Sequence, residues 1–168
     1  MNDMIDDDMA SAKPVAINKE SKVTIHELRQ FEDFPSWTNV DDLAKFLYDS
    51  LKPYEDPLPE VRQGIFDALE PSCGEPGFVL IAEIDQKVVG ALLMLRTGMK
   101  GYIPENLLLM VAVDPSTRGK GVGAQIIKRS FEIADGDVKL HVEYDNPAKR
   151  LYERLGMTSK YAEMRFIK

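Results

Sequence analysis

A glycine-rich turn in the second half of the chain constrains the fold more than any other feature. The turn reads Arg118-Gly119-Lys120-Gly121-Val122-Gly123, and it lies between an apolar run at residues 106–113 and an amphipathic stretch at residues 122–134. Glycines permit a tight turn whose N–H groups face one concavity, and the first turn of a helix adds N–H groups without intrahelical partners. The turn also carries two cations, Arg118 and Lys120. We therefore predict a strand, a pyrophosphate-binding turn and a helix, in that order.

Two other phosphate-binding loops fit this turn less well. A nucleotide-triphosphatase loop needs Ser or Thr after Gly-Lys, whereas Gly121 follows Lys120 here. A dinucleotide fingerprint lies in the first βαβ unit, whereas this turn comes after several predicted strands and has alternate glycines. A protein that binds a nucleotide pyrophosphate is therefore kept only as the third alternative.

Hydrophobic periodicity divides the rest of the chain into strands and helices. Strands are predicted at residues 22–28, 78–84, 87–96, 106–113, 138–144 and 161–167, and helices at residues 40–52, 60–69, 122–134 and 147–155. The short Asp85-Gln86 link predicts an antiparallel hairpin, and the continuous apolar run at 106–113 predicts a strand buried on both faces. We expect one mixed α/β domain at residues 22–168, with helices on both faces of a single sheet, after a flexible polar tail at residues 1–21.

Composition excludes several classes of protein. The 168 residues include one cysteine and two histidines. An internal disulfide is therefore excluded, and a metal enzyme is disfavoured. The net charge of −7 disfavours nucleic-acid binding, and an acidic surface attracts cationic partners instead. No apolar run is long enough to span a bilayer, and the acidic start is unlike a secretory signal, so we expect a cytoplasmic protein that binds neither membrane nor nucleic acid.

A second motif lies downstream of the glycine turn, in the segment Asn146-Pro147-Ala148-Lys149-Arg150-Leu151-Tyr152-Glu153-Arg154-Leu155-Gly156-Met157. Together with Arg-x-x-Gly-x-Gly after Val-Ala-Val-Asp-Pro, this segment resembles the GNAT (GCN5-related) N-acetyltransferase family. The resemblance covers about residue 78 to the C-terminus. It implies a GNAT-like α/β fold with a mixed, mostly antiparallel sheet flanked by helices, and acetyl-CoA as cosubstrate without a metal.

The resemblance also implies roles for individual residues. The backbone of Val111, Ala112 and Val113 would bind the pantetheine and polarise the acetyl carbonyl, and the turn from Arg118 to Gly123 would hold the pyrophosphate. Tyr152 occupies the position of the tyrosine that protonates the departing thiolate. The family's asparagine falls on Asp145 when counted back from Tyr152 and on Asn146 when counted forward from Val142. We take Asn146 as the coenzyme contact, although an Asn before Pro147 is also explained by helix capping.

The base that deprotonates the acceptor amine is left open between His141, Glu105, Glu143 and a water path, with His141 taken as the first candidate because of its pKa range. Substrate contacts are expected from the first helices and from the loop at residues 98–104. An aromatic and acidic rim for a cationic amine is predicted there, made of Trp37, Tyr48, Asp49, Tyr54, Glu55 and Asp56.

The function predicted from these motifs is transfer of an acetyl group from acetyl-CoA to a primary amine of a small molecule or peptide, by direct attack in a ternary complex. Cys73 has no nearby histidine in the sequence, so an acyl-cysteine intermediate is disfavoured. The alternative is a non-catalytic acyl-CoA-binding sensor or interaction domain. A homodimer is implied by the resemblance only.

Overall fold

The computed structural model describes residues 22–168, so the tail predicted at residues 1–21 lies outside the described part. Its strands are β1 (Thr24–Leu28), β2 (Phe78–Ile84), β3 (Lys87–Arg96), β4 (Asn106–Val113) and β5 (Val138–Leu140). Its α-helices are α1 (Val40–Leu51), α2 (Leu58–Leu69), α3 (Val122–Ile133) and α4 (Ala148–Arg154). Short 3-10 turns lie at Phe31–Asp33 and Pro115–Thr117.

The helices begin where the sequence supplies suitable caps. Asn39 caps α1, since its side-chain oxygen accepts hydrogen bonds from the N–H groups of Asp41 and Asp42 at 2.9 and 3.0 Å. Pro59 lies in the first turn of α2, where its missing N–H costs nothing. In the part of the chain that the structure describes, no helix has the length and apolar character needed to cross a membrane.

The five strands form one sheet in the order β1-β2-β3-β4-β5, and each neighbouring pair is antiparallel except β4 with β5, which is parallel. Asp85 and Gln86 join β2 to β3 with φ angles of 51° and 58°. Positive φ at both central residues is the geometry of a type I′ turn, which matches the twist of a two-residue hairpin. The predicted hairpin is confirmed.

Each face of the sheet carries its own core. The helices α1 and α2 cover one face through buried residues such as Leu43, Leu47 and Ile65. The helix α3 covers the opposite face through Ile126 and Ile127, and Tyr152 of α4 belongs to the same core. The predicted mixed α/β fold, with a mostly antiparallel sheet between helices, is confirmed.

Two strand predictions are wrong at the C-terminal side. β5 ends at Leu140 instead of residue 144, and residues 158–168, which include the predicted strand 161–167, contain neither helix nor strand. A strand needs a hydrogen-bonding neighbour, and β5 is too short to offer one to the last residues. The tail therefore keeps its large apolar side chains exposed, from 76% for Tyr161 to 93% for Met164.

Candidate active site

A β-bulge in β4 determines the shape of the site. Leu93 of β3 pairs with Met110 and Met94 pairs with Leu108, so Leu109 is an extra residue on β4. Side chains alternate along a regular strand, yet Leu109 and Met110 both pack on the core beneath α1 and α2. The bulge therefore reverses the alternation for the remaining residues of β4, and Val111 and Val113 pack on the α3 face.

The bulge coincides with the separation of β4 from β5. Their pairing ends at Leu108 and Leu140, whereas β4 continues to Val113. Before the bulge the Asn106 N–H donates to Asp137 just before β5, whereas after it the Asp114 N–H donates to Val89 of β3, at 3.0 and 2.9 Å. Because backbone groups alternate in direction, Val111 and Val113 turn theirs towards the side that β5 has left.

This geometry refines the predicted role of residues 111–113. Ala112 lies two residues before Asp114, so its N–H and C=O groups face the same side as those of Asp114. They face β3, where Ala112 pairs with Ala91. The backbone groups without a partner strand belong to Val111 and Val113, and of these the Val113 oxygen accepts from Arg118 Nε. The prediction that β4 is covered on both faces is confirmed, since Leu108 belongs to the core beneath α3, and Met110 and Ala112 belong to the core beneath α1 and α2. Val111 and Val113 are half-buried.

The glycine turn joins β4 to α3 in the predicted order. Gly119 and Gly121 have φ angles of 77° and 83°, a backbone region in which side chains are strained. Gly121 is the N-cap of α3 and offers no side-chain cap, and the first intrahelical bond runs from the Gln125 N–H to the Gly121 oxygen at 3.0 Å. The preceding N–H groups at the helix start are left for a ligand, and a pyrophosphate fits this donor set.

Arg118 binds protein carbonyl groups with its guanidinium. Nη2 donates to the backbone oxygen of Ser50, in the last turn of α1, at 2.6 Å, and Nε donates to the Val113 oxygen at 3.2 Å. The side chain thereby ties the end of β4 to the C-terminal end of α1, whose last carbonyls lack intrahelical partners. Lys120 is exposed and its Nζ donates to the Ser116 oxygen at 3.3 Å.

The helix α4 lies against the end of β4 and the start of α3. A Cβ atom placed on Gly123 would be 3.4 Å from both Leu151 Cδ2 and Val113 Cγ2. Tyr152, which follows Leu151 in α4, is only 9% exposed, and burial raises the pKa of its phenol to about 12. Its hydroxyl donates to no protein group within residues 22–168. Tyr152 is therefore a protonated donor at neutral pH with an uncommitted hydroxyl.

Asn146 caps the α4 segment. Its Oδ1 accepts from the Ala148 N–H at 2.9 Å, while Pro147 makes no side-chain cap. Asp145 is exposed, and its backbone oxygen accepts a hydrogen bond from the Tyr54 hydroxyl at 3.4 Å. The capping role of Asn146 is confirmed, and its predicted contact with a coenzyme stays a prediction.

The three titratable candidates for the base fall in different places. His141 and Glu143 are exposed in the segment after β5, so neither lies on a strand as predicted. Glu105 precedes β4 and lies about 20 Å from Val111, at ~3.3 Å per residue. Its Oε2 accepts from the Asp137 N–H at 2.9 Å, and backbone N–H groups, first its own and then that of Asp137, lower the pKa of its carboxyl. Glu105 lies at the wrong end of β4 for this role.

The predicted aromatic and acidic rim is only partly assembled. Asp49 is paired with Lys45 and Lys52 at 2.6 and 3.3 Å, and Lys52 also lies over the ring of Tyr48. Trp37 packs edge-on against His26 of β1, which lies at the opposite edge of the sheet from β5.

The Tyr54 side of the rim remains next to the second motif. The pKa of the Tyr54 phenol is raised, mainly by partial burial and secondly by the negative charges of Asp145 and Glu143. Glu55 and Asp56 follow Tyr54 beside the end of α1, where Asp56 also lies near the guanidinium of Arg165. The loop at residues 98–104 joins β3 to the start of β4, at the opposite end of the strand from the glycine turn. Substrate contacts from this loop stay a prediction.

Sequence reasoning missed two residues that shape the site. Leu109 creates the bulge, and an apolar residue in an apolar run carries no signal that it is the extra one. Ser50 supplies the carbonyl that Arg118 binds, and because this is a backbone oxygen, the identity of the residue carries no signal for the contact. Among residues 22–168, no three His, Cys, Asp or Glu side chains are grouped to hold a metal ion.

Comparison with known proteins identifies the class of this domain. Residues 75–157 match the family model described as "Acetyltransferase (GNAT) domain". Residues 75–157 therefore form a GNAT acetyltransferase domain. No curated protein matches the sequence at a significant level.

Several solved structures share the fold. A possible acetyltransferase from Clostridium difficile 630 superposes with a TM-score of 0.62 at 24% identity, over 87% of this chain and 97% of that one. An aminoglycoside N-acetyltransferase in complex with CoA gives 0.65 at 14% identity, over 91% and 99%. A ribosomal-protein-alanine N-acetyltransferase from Brucella melitensis biovar Abortus 2308 gives 0.59 at 16% identity, over 88% and 99%.

Proposed function

We propose that this acetyltransferase transfers the acetyl group of acetyl-CoA to a primary amine by direct attack in a ternary complex. The observation that carries the proposal is the open end of β4, where the bulge at Leu109 leaves the backbone of Val111 and Val113 beside the glycine turn. Acetyl-CoA would supply the acetyl group as a thioester, and the pyrophosphate would bind at the N–H groups that open α3.

The residues around that opening suit three tasks. A backbone N–H at Val111 or Val113 would donate to the acetyl carbonyl oxygen as negative charge develops on it. When the amine nitrogen bonds to the carbonyl carbon and the C–S bond breaks, Tyr152 Oη would give its proton to the sulfur. The raised pKa of Tyr152, about 12, keeps this proton available at neutral pH.

The acceptor would enter from the side of Tyr54. Tyr54, Glu55, Asp56, Glu143 and Asp145 give this side aromatic and acidic character, which suits a cationic amine. Relatives of the fold include enzymes named for aminoglycosides and for the alanine of a ribosomal protein, so both small-molecule and peptide amines have precedent. His141, Glu143 or a water path would remove the proton from the amine.

The test is a paired measurement of coenzyme binding and turnover. Calorimetry would measure the affinity for CoA, and release of free thiol would report turnover with polyamines, aminoglycosides, amino acids and peptide N-termini. Binding together with thiol release that requires an amine is expected. Absence of CoA binding would contradict the proposal, and CoA binding with no turnover on any amine would favour the acyl-CoA-binding sensor instead.

A further inference from the structure

A hollow of about 490 Å³ lies at the end of β4 remote from the glycine turn. Its lining includes Glu75, Arg96, Lys100 and Asp135. A smaller hollow of about 190 Å³ adjoins it and shares Glu75, Arg96 and Asp135. The two spaces meet around Arg96, the last residue of β3, and the proposed coenzyme site does not use them.

Arg96 is held by one edge of its guanidinium. Nη1 donates to Asn106 Oδ1 at 3.0 Å and to the Asp135 backbone oxygen at 2.7 Å. Asn106 is 1% exposed and is itself fixed, because its Nδ2 donates to the backbone oxygens of Asp135 and Asp137 at 2.8 and 3.2 Å. These contacts fix the orientation of the guanidinium before any ligand binds.

The other edge of Arg96 has no hydrogen-bond partner within residues 22–168. Nε donates to none of the described groups, and Nη2 reaches only Glu75 Oε2, at 4.0 Å. The Nε–Nη2 edge of a guanidinium matches the two oxygens of a carboxylate, which can accept both hydrogen bonds at once. The Arg96 side chain is 22% exposed, so a small molecule in the hollow can reach it.

Glu75 indicates which anion fits. Its side chain is 83% exposed, and an exposed ion pair at 4.0 Å contributes little, so its carboxylate can be displaced at small cost. Glu75, Glu105 and Asp135 also line the hollow, and their charges oppose a doubly charged phosphate more than a single carboxylate. We propose that the hollow around Arg96 is a second ligand site, separate from the transferase site, that binds the carboxylate group of a small molecule.

The experiment uses acetate as the carboxylate probe on the full chain. Nuclear magnetic resonance would follow the Arg96 Nε–H signal during titration with sodium acetate, with sodium phosphate and sodium chloride at equal ionic strength. A saturable shift with acetate, absent with chloride, is expected. A response to chloride equal to that of acetate, or saturation by phosphate alone, would overturn the proposal.

Two variants separate a binding role from a structural one. Glu75→Gln removes the competing carboxylate from an exposed position and should tighten acetate binding about twofold to fivefold. Glu60→Gln makes the same charge change at an exposed position on α2 and should leave the affinity unchanged. A purely structural Arg96 predicts no saturable acetate signal in either protein, and that result would overturn the site. Equal acetate affinity in Glu75→Gln and the parent chain would contradict the competition between Glu75 and the ligand for Arg96.

Discussion

The two ends of β4 are built from similar parts and do different things. Each end has an arginine that donates to a backbone carbonyl at the end of a helix, namely Arg96 to Asp135 after α3 and Arg118 to Ser50 in α1. Each end also has glycines with positive φ nearby, such as Gly101 and Gly121. At the start of β4 the strand is paired on both sides, whereas at its other end one edge is open.

The difference coincides with one inserted residue in β4, Leu109. Upstream of Leu109 the backbone groups on the β5 side are used by the sheet. Downstream they have no partner in β5, although the Val113 oxygen accepts a hydrogen bond from Arg118 Nε. Variants that change the same residue type at both ends separate the effect of the open edge from general damage to the fold.

The largest effect is expected from Tyr152→Phe. Loss of the proton donor should lower kcat about 100-fold, with the affinity for CoA changed less than about twofold. The matched control is Tyr102→Phe, because Tyr102 is 82% exposed in the loop before the start of β4. Steady-state kinetics and calorimetry check both variants, and an unchanged kcat in Tyr152→Phe would remove this residue from the acid role.

A smaller effect is expected from a side chain at the left-handed glycines. Gly121→Val should weaken CoA binding about tenfold or more, because φ of 83° strains a β-branched residue at the helix start. Gly101→Val introduces comparable strain at φ of 88° at the other end of β4. Calorimetry should find reduced CoA affinity only in the first variant, although both lower the melting temperature. Equal loss of affinity in both would count against the glycine turn as the pyrophosphate site.

Substitutions of the two arginines should differ less in their effect on CoA affinity than substitutions of the two glycines. Arg118→Lys loses the rigid fork that links Val113 to Ser50, and we expect CoA affinity to fall about threefold to tenfold. Arg96→Lys also loses bonds to carbonyl groups, so it should lower stability while leaving CoA affinity unchanged. Chemical denaturation with calorimetry measures both properties. A drop in CoA affinity in Arg96→Lys would mean that the two ends are coupled.

The smallest effects are expected from pH, and the two ends should respond at opposite extremes. The pKa of Glu105 is lowered in the fold, so its stabilisation is present above its ordinary value and is lost as pH falls through the folded pKa. The pKa of Tyr152 is raised to about 12, so its stabilisation is present below pH ~10 and is lost as pH rises above that value.

Chemical denaturation at a series of pH values measures how stability falls at acid pH and at alkaline pH, which we call the acid limb and the alkaline limb. Glu105→Gln should flatten the acid limb and Tyr152→Phe the alkaline limb. Turnover should show no decline from Tyr152 ionisation between pH 7 and 10. A decline centred near pH 10 that disappears in Tyr152→Phe would show that the phenol is not shielded by burial.

Several elements were predictable because their signals are local. The bounds of β2, β3 and β4 follow from apolar runs and from the two-residue link at Asp85-Gln86. The start of α1 follows from Asn39, and the glycine turn follows from its own residues and its place before α3. The site residues that resemblance proposed, such as Tyr152 and Gly121, are gathered near the end of β4.

The errors concern elements that depend on distant partners. The segments 141–144 and 161–167 have strand-like sequences, yet neither forms a strand, because β5 ends where β4 moves away from it. Glu105 and the loop at 98–104 lie at the end of β4 opposite the glycine turn. Periodicity predicts which face a residue shares with its neighbours, but it does not reveal which strand edge finds a partner.

The sequence by itself determined the strand, turn and helix that carry the glycines, because backbone freedom and hydrophobic periodicity are properties of neighbouring residues. The tertiary structure alone decided that Leu109 is the extra residue, that Val111 and Val113 present their backbone, and that Arg118 and Arg96 each commit part of their guanidinium to carbonyl groups. A bulge and a clamped arginine are relations between segments far apart in the chain, so only the packed fold specifies them.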